Sequence, residues 1–284
     1  MLQLPRSARL AAWGTAVLRG TVPVADAVAA ITGDDEPHVV DSAPGTPIGT
    51  ADVAGGSSLD AAGLAELLAV LAAEGVAGLR LVLPAPGDAL GLPGPPPFNE
   101  LALDAGECVL GYPADGPAGL SGQAGLSGPG GRGLIPALEV FGSAWEPGCY
   151  VSWTVHQVQP LRVTDVGSLA EADRALREAL AEATSTLASL DVARWRDDAA
   201  DRIAAVRGGA LSPSSLPPGV AVRAAQVLAS AARVRAIVGL AAEDDGAAVS
   251  SWEAAQRAEA LRGLDAVARR GIVAGVNAPL EPTR

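Results

Sequence analysis

The strongest constraint on the fold is a change in hydrophobic periodicity near residue 165. Before this point the apolar residues form short runs, and the last of these, Tyr150 to Val158, alternates apolar and polar side chains as a strand does. After it, apolar residues recur at three- and four-residue steps, which is the spacing of packed helices. We therefore predict two regions of different structural class, with a boundary near residue 165.

The first region, residues 1–165, has the pattern of an α+β domain. No helix-length pattern separates its last strands, so we expect them to pair antiparallel. The prediction is a mixed or antiparallel sheet with helices on one side. The predicted helices are Leu10–Leu18, Val24–Ile31 and Ser57–Glu74, and the predicted strands are His38–Val40, Leu79–Leu83, Glu107–Tyr112, Leu134–Phe141 and Tyr150–Val158.

Glycine and proline mark three loops in this region, at residues 42–57, 84–97 and 113–133. The third loop contains a six-residue duplication, Ala118-Gly-Leu-Ser-Gly-Gln123 followed by Ala124-Gly-Leu-Ser-Gly-Pro129. A phosphate-binding loop should open onto a helix N-terminus, whereas this tract runs into an apolar, strand-like run. We interpret it as a low-complexity insertion that would need a partner to become ordered.

The second region, residues 166–284, is predicted to be helical, with helices at about 168–190, 191–207, 220–242 and 250–271. Ser168 stands where a helix N-cap is needed. The stretch from Val220 to Ala241 carries a stripe of small residues, which would let two helices approach closely. We expect a helical bundle or a long helical hairpin.

Composition excludes several chemistries. Lysine is absent from the 284 residues, which rules out a lysine Schiff base and a phosphate-binding loop closed by lysine. The only histidines and cysteines are His38, His156, Cys108 and Cys149. A zinc site built from Cys and His alone would need all four of them. We expect no cofactor and no metal. Two cysteines make no disulfide framework, and no uncharged apolar run approaches the length of a membrane span, so we expect a cytoplasmic protein with no membrane partner.

Charge is distributed unevenly along the chain. Residues 1–165 hold 6 arginines and 17 carboxylates, for a net −11 of the total −12, whereas residues 202–242 hold five arginines and no carboxylate. These arginines could dock on acidic parts of the same chain or face a partner. No aromatic residues are interleaved with them, and the total charge would repel a duplex, so nucleic acid is the least favoured partner.

The densest polar cluster is Asp34-Asp35-Glu36 with His38 and Asp41. Carboxylates and an imidazole could surround a divalent cation, but His38 and Asp41 would point to opposite faces of a strand. We favour a charged turn that enters a strand. A carboxylate-dependent hydrolase with a loop-built site, using Asp34, Asp35 or Asp88 with His156, stays open as an alternative.

These observations favour a non-enzymatic protein-binding or scaffold protein. We expect its C-terminal helical seams to mediate self-association or the binding of a protein partner, because no coherent catalytic constellation is evident. The candidate contact residues are Arg223, Arg233, Arg235, Trp195 and Trp252. A second alternative is a nucleic-acid-associated protein that uses the arginines of residues 202–242.

Overall fold

The structure is a computed structural model that describes residues 2–46, 63–89, 91–113, 130–143, 146–159, 168–189, 206, 208–242 and 251–280. The chain divides into two compact units. The sheet unit comprises Pro5–Asp165, Ser214–Gly219 and Leu280–Arg284, and the helical unit comprises Met1–Leu4, Val166–Pro213 and Val220–Pro279.

The sheet unit contains a five-stranded sheet in the order β1-β5-β4-β3-β2. Strand β1 pairs parallel with β5, and every other pair is antiparallel, which confirms the predicted α+β class and mixed sheet. The elements are α1 (Arg6–Leu18), α2 (Val24–Thr32), β1 (Val39–Ser42), α3 (Leu64–Ala73), β2 (Val76–Val82), α4 (Pro96–Ala105), β3 (Cys108–Pro113), β4 (Gly131–Gly142) and β5 (Pro147–Val158).

Helices α1 and α3 pack near β2 on one face of the sheet, here called the first face. A Cβ atom at Gly14 of α1 would lie 2.6 Å from Leu79 Cδ1 and 3.2 Å from Leu68 Cδ2, so the helix backbone lies directly against both neighbours. Because side chains alternate along a strand, the first face is defined by one residue set. That set is Leu79, Leu81, Val109, Leu134, Trp153 and Val155, all of which are buried.

Helix α4 lies on the opposite, second face, so the helices are not all on one side. Its Phe98 packs in a buried cluster with Cys108, Leu110 and Ile135. The sequence pattern does not predict α4, because its first turn belongs to a proline-rich segment. Proline at the first helical positions is nevertheless compatible with a helix, since the N–H groups there have no partner within the helix.

Strand β4 begins at Gly131, inside the segment predicted as a loop. Close packing explains why glycine occurs in this strand. A Cβ atom at Gly133 would overlap the ring of Phe98, and one at Gly131 would lie 2.5 Å from the ring of Tyr112. The predicted cap of α3 at Ser57 lies outside the described residues.

The helical unit contains α5 (Leu169–Ser189), α6 (Val222–Ala242) and α7 (Ser251–Val276), and a short 3-10 turn, Pro213–Ser215, lies in the connection before α6. The predicted cap at Ser168 is confirmed, because the backbone N–H of Ser168 donates to Glu171 while the N–H of Glu171 donates to Ser168 Oγ. The helical C-terminal region is confirmed. The helix predicted at 191–207 falls almost wholly outside the described residues.

Helix α7 runs beyond its predicted end at Gly271 because glycines there face α6. A Cβ atom at Gly275 would lie 2.5 Å from Leu228 Cγ, and one at Gly271 would lie 3.0 Å from Ala231 Cβ. These pairs run in opposite chain directions, so α6 and α7 are antiparallel. The small-residue stripe of α6 is therefore occupied by α7.

Helix α6 is long and apolar enough to cross a membrane, by length and composition alone. The core helix of a globular unit meets the same criteria. The apolar stripe of α6 packs on α7, and the helix contains the charged residues Arg233 and Arg235. We therefore describe α6 as a packed core helix.

Two glycines of α7 provide a test of this packing. We expect Gly275→Ala to lower the free energy of unfolding by about 1–3 kcal/mol, because the added methyl group overpacks against Leu228. Gly263→Ala, on the same helix and with open space around its Cα, should raise it by roughly 0.5–1 kcal/mol. Urea unfolding followed by circular dichroism measures both, and equal effects would contradict the close approach of α6 and α7.

Candidate functional site

The polar cluster that the sequence singled out centres on Asp35, in the turn between α2 and β1. Arg6 and Arg9 stand one turn apart on α1 and both donate to its carboxylate. Arg6 Nη2 lies 2.8 Å from Oδ1 and Arg6 Nε lies 3.1 Å from Oδ2, and Arg9 Nη2 reaches Oδ2 at 3.1 Å. The Asp35 side chain is largely buried, and this paired geometry is the strongest form of a carboxylate–arginine contact.

His38 extends this cluster into the sheet. Trp153 Nε1 donates to His38 Nδ1 at 3.1 Å, and both side chains are buried. Because Nδ1 is the acceptor, the proton of the neutral ring is on Nε2, which lies 3.6 Å from Asp35 Oδ2. The cluster therefore connects α1, the α2–β1 turn and the centre of β5.

Burial and charge set the protonation states. Burial lowers the pKa of His38 below its usual value, against the opposing effect of Asp35, so the ring is neutral at neutral pH. Burial tends to raise the pKa of Asp35, but hydrogen bonds and charge from Arg6, together with the charge of Arg9, outweigh it and lower the pKa. The Asp35 carboxylate is therefore ionised, and its oxygens accept hydrogen bonds from Arg6 and Arg9.

The cluster is balanced in charge, which limits its chemistry. The N–H of Ser7, at the start of α1, donates to Glu107 Oε2 at 2.8 Å, and the carboxylate of Glu107 adds a second negative charge that acts on Arg6. Asp34 and Glu36, on either side of Asp35 in the chain, are exposed. The arrangement has the features of a structural ion network rather than of a general acid–base pair.

The residues of the alternative hydrolase site do not come together. His156 lies on the second face, with its ring centroid 5.6 Å from that of Phe98, whereas His38 and its partner Trp153 are on the first face. Asp88 lies in the loop after β2, where its backbone pairs with Ala85. The sheet thus separates Asp35 from His156.

The three candidate arginines of the helical unit have partners inside that unit. Arg233 donates to the carbonyl of Gly209 at 3.1 Å, and Arg235 Nε lies 3.5 Å from Asp265 Oδ1. Arg223 is exposed and lies 3.9 Å from Asp173. Trp252 is 63% exposed at the start of α7, and Trp195 lies outside the described residues.

Sequence reasoning missed a surface at the end of the β4–β5 hairpin, here called the ribbon tip. It is the part of the hairpin beyond Pro136 of β4, and each residue from Ala137 to Ser143 is exposed. Strand length could have indicated this surface, because the strands predicted for β4 and β5 are longer than the one predicted for β3. Four large apolar side chains are exposed there, namely Leu138 (46%), Val140 (76%), Phe141 (36%) and Tyr150 (52%).

The main segments of the two units correspond to two domains of one protein family. The N-terminal domain of Rv1486c-like proteins matches residues 7–169, and the C-terminal domain of Rv1486c-like proteins matches residues 170–273. The chain belongs to the Rv1486c-like family.

Two relatives from Mycobacterium tuberculosis support this membership. Rv1486c of strain ATCC 25618 / H37Rv is 32% identical over 219 residues, which cover 71% of this chain and 70% of the relative. MT1533 of strain CDC 1551 / Oshkosh matches with the same identity and coverage. Both relatives are uncharacterised proteins, and no solved structure matches the chain.

The Asp35 cluster predicts a large stability effect from a small change. We expect Asp35→Asn to lower the free energy of unfolding by about 3 kcal/mol, because it removes the one carboxylate that Arg6 and Arg9 both contact and leaves the two guanidinium groups partly buried. Asp34→Asn makes the same chemical change one residue away at an exposed position and should change it by less than about 0.5 kcal/mol. Similar losses in the two variants, measured by urea unfolding, would rule out a network centred on Asp35.

His38 predicts a dependence of stability on pH. Its pKa is lowered in the folded state, so below the unfolded value of 6.5 the unfolded chain binds the extra proton and stability falls as the pH falls. One such group contributes a slope of up to about 1.4 kcal/mol per pH unit. His38→Asn keeps an acceptor near Trp153 and should reduce the slope between pH 6.5 and 5 by that one-proton contribution.

His156 also has a pKa lowered by burial, so the wild-type slope includes both histidines. The difference between wild type and His38→Asn isolates His38. Urea unfolding at several pH values, followed by circular dichroism, provides the measurement, and an unchanged slope would show that His38 is not held neutral.

Proposed function

We propose that this protein is a non-enzymatic protein-binding protein and that the ribbon tip is a principal binding surface. The observation that carries the proposal is the exposure of Leu138, Val140, Phe141 and Tyr150 on a single hairpin. Leu138 and Val140 lie on one face of the hairpin and Phe141 and Tyr150 on the other. Exposed apolar side chains gathered at one place are characteristic of interaction sites, because solvating them costs free energy that a partner recovers.

The ring geometry at the tip supports a binding surface. Phe141 and Tyr150 are stacked, with ring centroids 4.3 Å apart. Two aromatic rings that support each other lose little conformational freedom when a partner covers them. Aromatic residues are also enriched among the side chains that dominate the affinity of interfaces.

The helical seams are not the primary binding surface in this proposal. The stripe of α6 packs against α7, so self-association through that stripe would require the two helices to separate. In the helical unit, Val222 and Trp252 are exposed at the starts of antiparallel α6 and α7, and they therefore lie at opposite ends of the pair. We propose Trp252 as a secondary contact and the ribbon tip as the primary one.

Site-specific photo-crosslinking tests the proposal. We expect a photo-reactive phenylalanine analogue at position 140, in cells that express the full chain at its natural level, to give one discrete adduct with a protein. The same analogue at Glu66, an exposed position on α3, should not give it. Adding Leu138→Asp should lower the yield at position 140 about tenfold, because a buried, unpaired charge would face the partner.

Mass spectrometry of the adduct identifies the bound protein, and a second copy of the chain would also be recognised. Circular dichroism of the Leu138→Asp variant controls for folding. If position 140 gives no adduct, or if Glu66 gives the same adduct with equal yield, the ribbon tip is not the binding surface.

A further inference from the structure

We propose that the free edge of β4 binds an extended segment of another protein in which apolar and basic side chains alternate. The inference rests on the proposed protein-binding function and adds the mode of binding and the chemistry of the partner. Its basis is the set of backbone groups and side chains that β4 presents between Pro136 and Gly142.

This edge is unpaired within the part of the chain that the structure describes. Strand β3 pairs with β4 only at Leu134, Gly133 and Arg132, whereas β5 pairs with β4 along its whole length. Beyond Pro136, the side of β4 opposite β5 faces no described strand. An exposed strand edge offers a row of backbone donors and acceptors to an incoming strand.

Hydrogen bonding in the hairpin determines which groups point outward. The N–H of Ser143 donates to the carbonyl of Glu146, so this pair is hydrogen-bonded within the hairpin. Hydrogen-bonded pairs alternate with non-hydrogen-bonded pairs along an antiparallel ladder. The backbone N–H and C=O groups of the odd-numbered residues of β4 therefore point towards β5. Those of the even-numbered residues Leu138 and Val140 point towards the free edge.

The other side of the hairpin agrees with this assignment. The carbonyls of Cys149 and Val155 accept from Glu36 and Ala43, which lie on the β1 side. The backbone N–H and C=O groups of the odd-numbered residues of β5 thus point away from β4, as the alternation requires. Pro136 is even-numbered, so its missing N–H falls on the free edge and costs no bond to β5.

The side chains next to these groups define the chemistry of the partner. Leu138 and Val140 lie on the first face, and they would contact apolar side chains of an added strand. Glu139 and the stacked ring of Phe141 lie on the second face. A carboxylate beside an aromatic stack favours an arginine or lysine by both ion pairing and cation–π attraction.

Charge complementarity favours a basic partner over a second copy. Residues 133–159 carry Glu139 and Glu146 and contain no arginine or lysine. Pairing two copies so that Leu138 of one meets Val140 of the other would place the two Glu139 side chains directly opposite each other. Like charges in that position destabilise strand pairing, and each chain already carries a net −12.

The test uses the full chain and two synthetic peptides of roughly eight residues, which span the free edge at about 3.3 Å per residue. One peptide alternates valine and arginine, and the other alternates valine and glutamate. We expect the first to slow amide hydrogen exchange at Leu138 and Val140 and to leave Glu139 and Phe141 unchanged, because their N–H groups already bond to β5. The second peptide should have no effect.

Two variants separate charge from backbone pairing. Glu139→Arg should reduce affinity for the valine–arginine peptide by about threefold or more and give measurable binding of the valine–glutamate peptide. Val140→Pro removes one outward donor and should weaken binding of the valine–arginine peptide, and circular dichroism reports whether the variant folds. If Val140→Pro does not fold, amide hydrogen exchange at Leu138 and Val140 of the wild-type chain still tests the proposal.

The proposal is overturned if neither peptide protects Leu138 and Val140, or if both peptides protect them equally. It is also overturned if protection appears without peptide and rises with protein concentration, because a second copy then occupies the edge. An adduct at position 140 together with absent peptide protection would retain the protein-binding function and reject strand addition. Absence of both would reject the two proposals together.

Discussion

The sheet unit depends on one carboxylate. Asp35 holds Arg6 and Arg9 of α1 and lies beside His38, which in turn accepts a hydrogen bond from Trp153 at the centre of β5. The turn between α2 and β1 is thereby fixed to both the helix that covers the first face and the strand that β1 joins. Because a parallel strand pair cannot be closed by a short hairpin, these side-chain contacts act together with the backbone hydrogen bonds to β5 to fix the position of β1.

The two units solve the same packing problem in different ways. The sheet unit uses a buried polar network to set the direction of its first helix, and the helical unit uses glycine to bring two helices together. In α7, Gly271 and Gly275 leave room for Ala231 and Leu228 of α6, and buried Arg257 donates to the carbonyl of Ala241 at the end of α6. That bond satisfies a carbonyl group that the helix itself leaves without a partner.

Local patterns predicted the class of each region but not the surfaces between elements. Periodicity indicated the mixed sheet and the helical C-terminal region, because it depends only on neighbouring residues. Helix α4 was missed, since its first turn is proline and the pattern there resembles a loop. Arg6 and Asp35 lie 29 residues apart in the chain, and no local signal predicts that they meet. The exposure of Val140 likewise depends on which strand ends beside it.

The ribbon tip arises from a difference in strand length. β4 has 12 residues and β3 has 6, so one edge of β4 continues after its neighbour has ended. Strand edges in folded proteins are usually protected by charge, proline or a covering element. Here Pro136 lies just past the part of β4 that pairs with β3, and Glu139 is the charged residue on the strand beyond it, whereas Leu138, Val140 and Phe141 are apolar. An edge with one carboxylate among apolar side chains disfavours pairing with itself while still offering backbone groups to a strand of opposite charge.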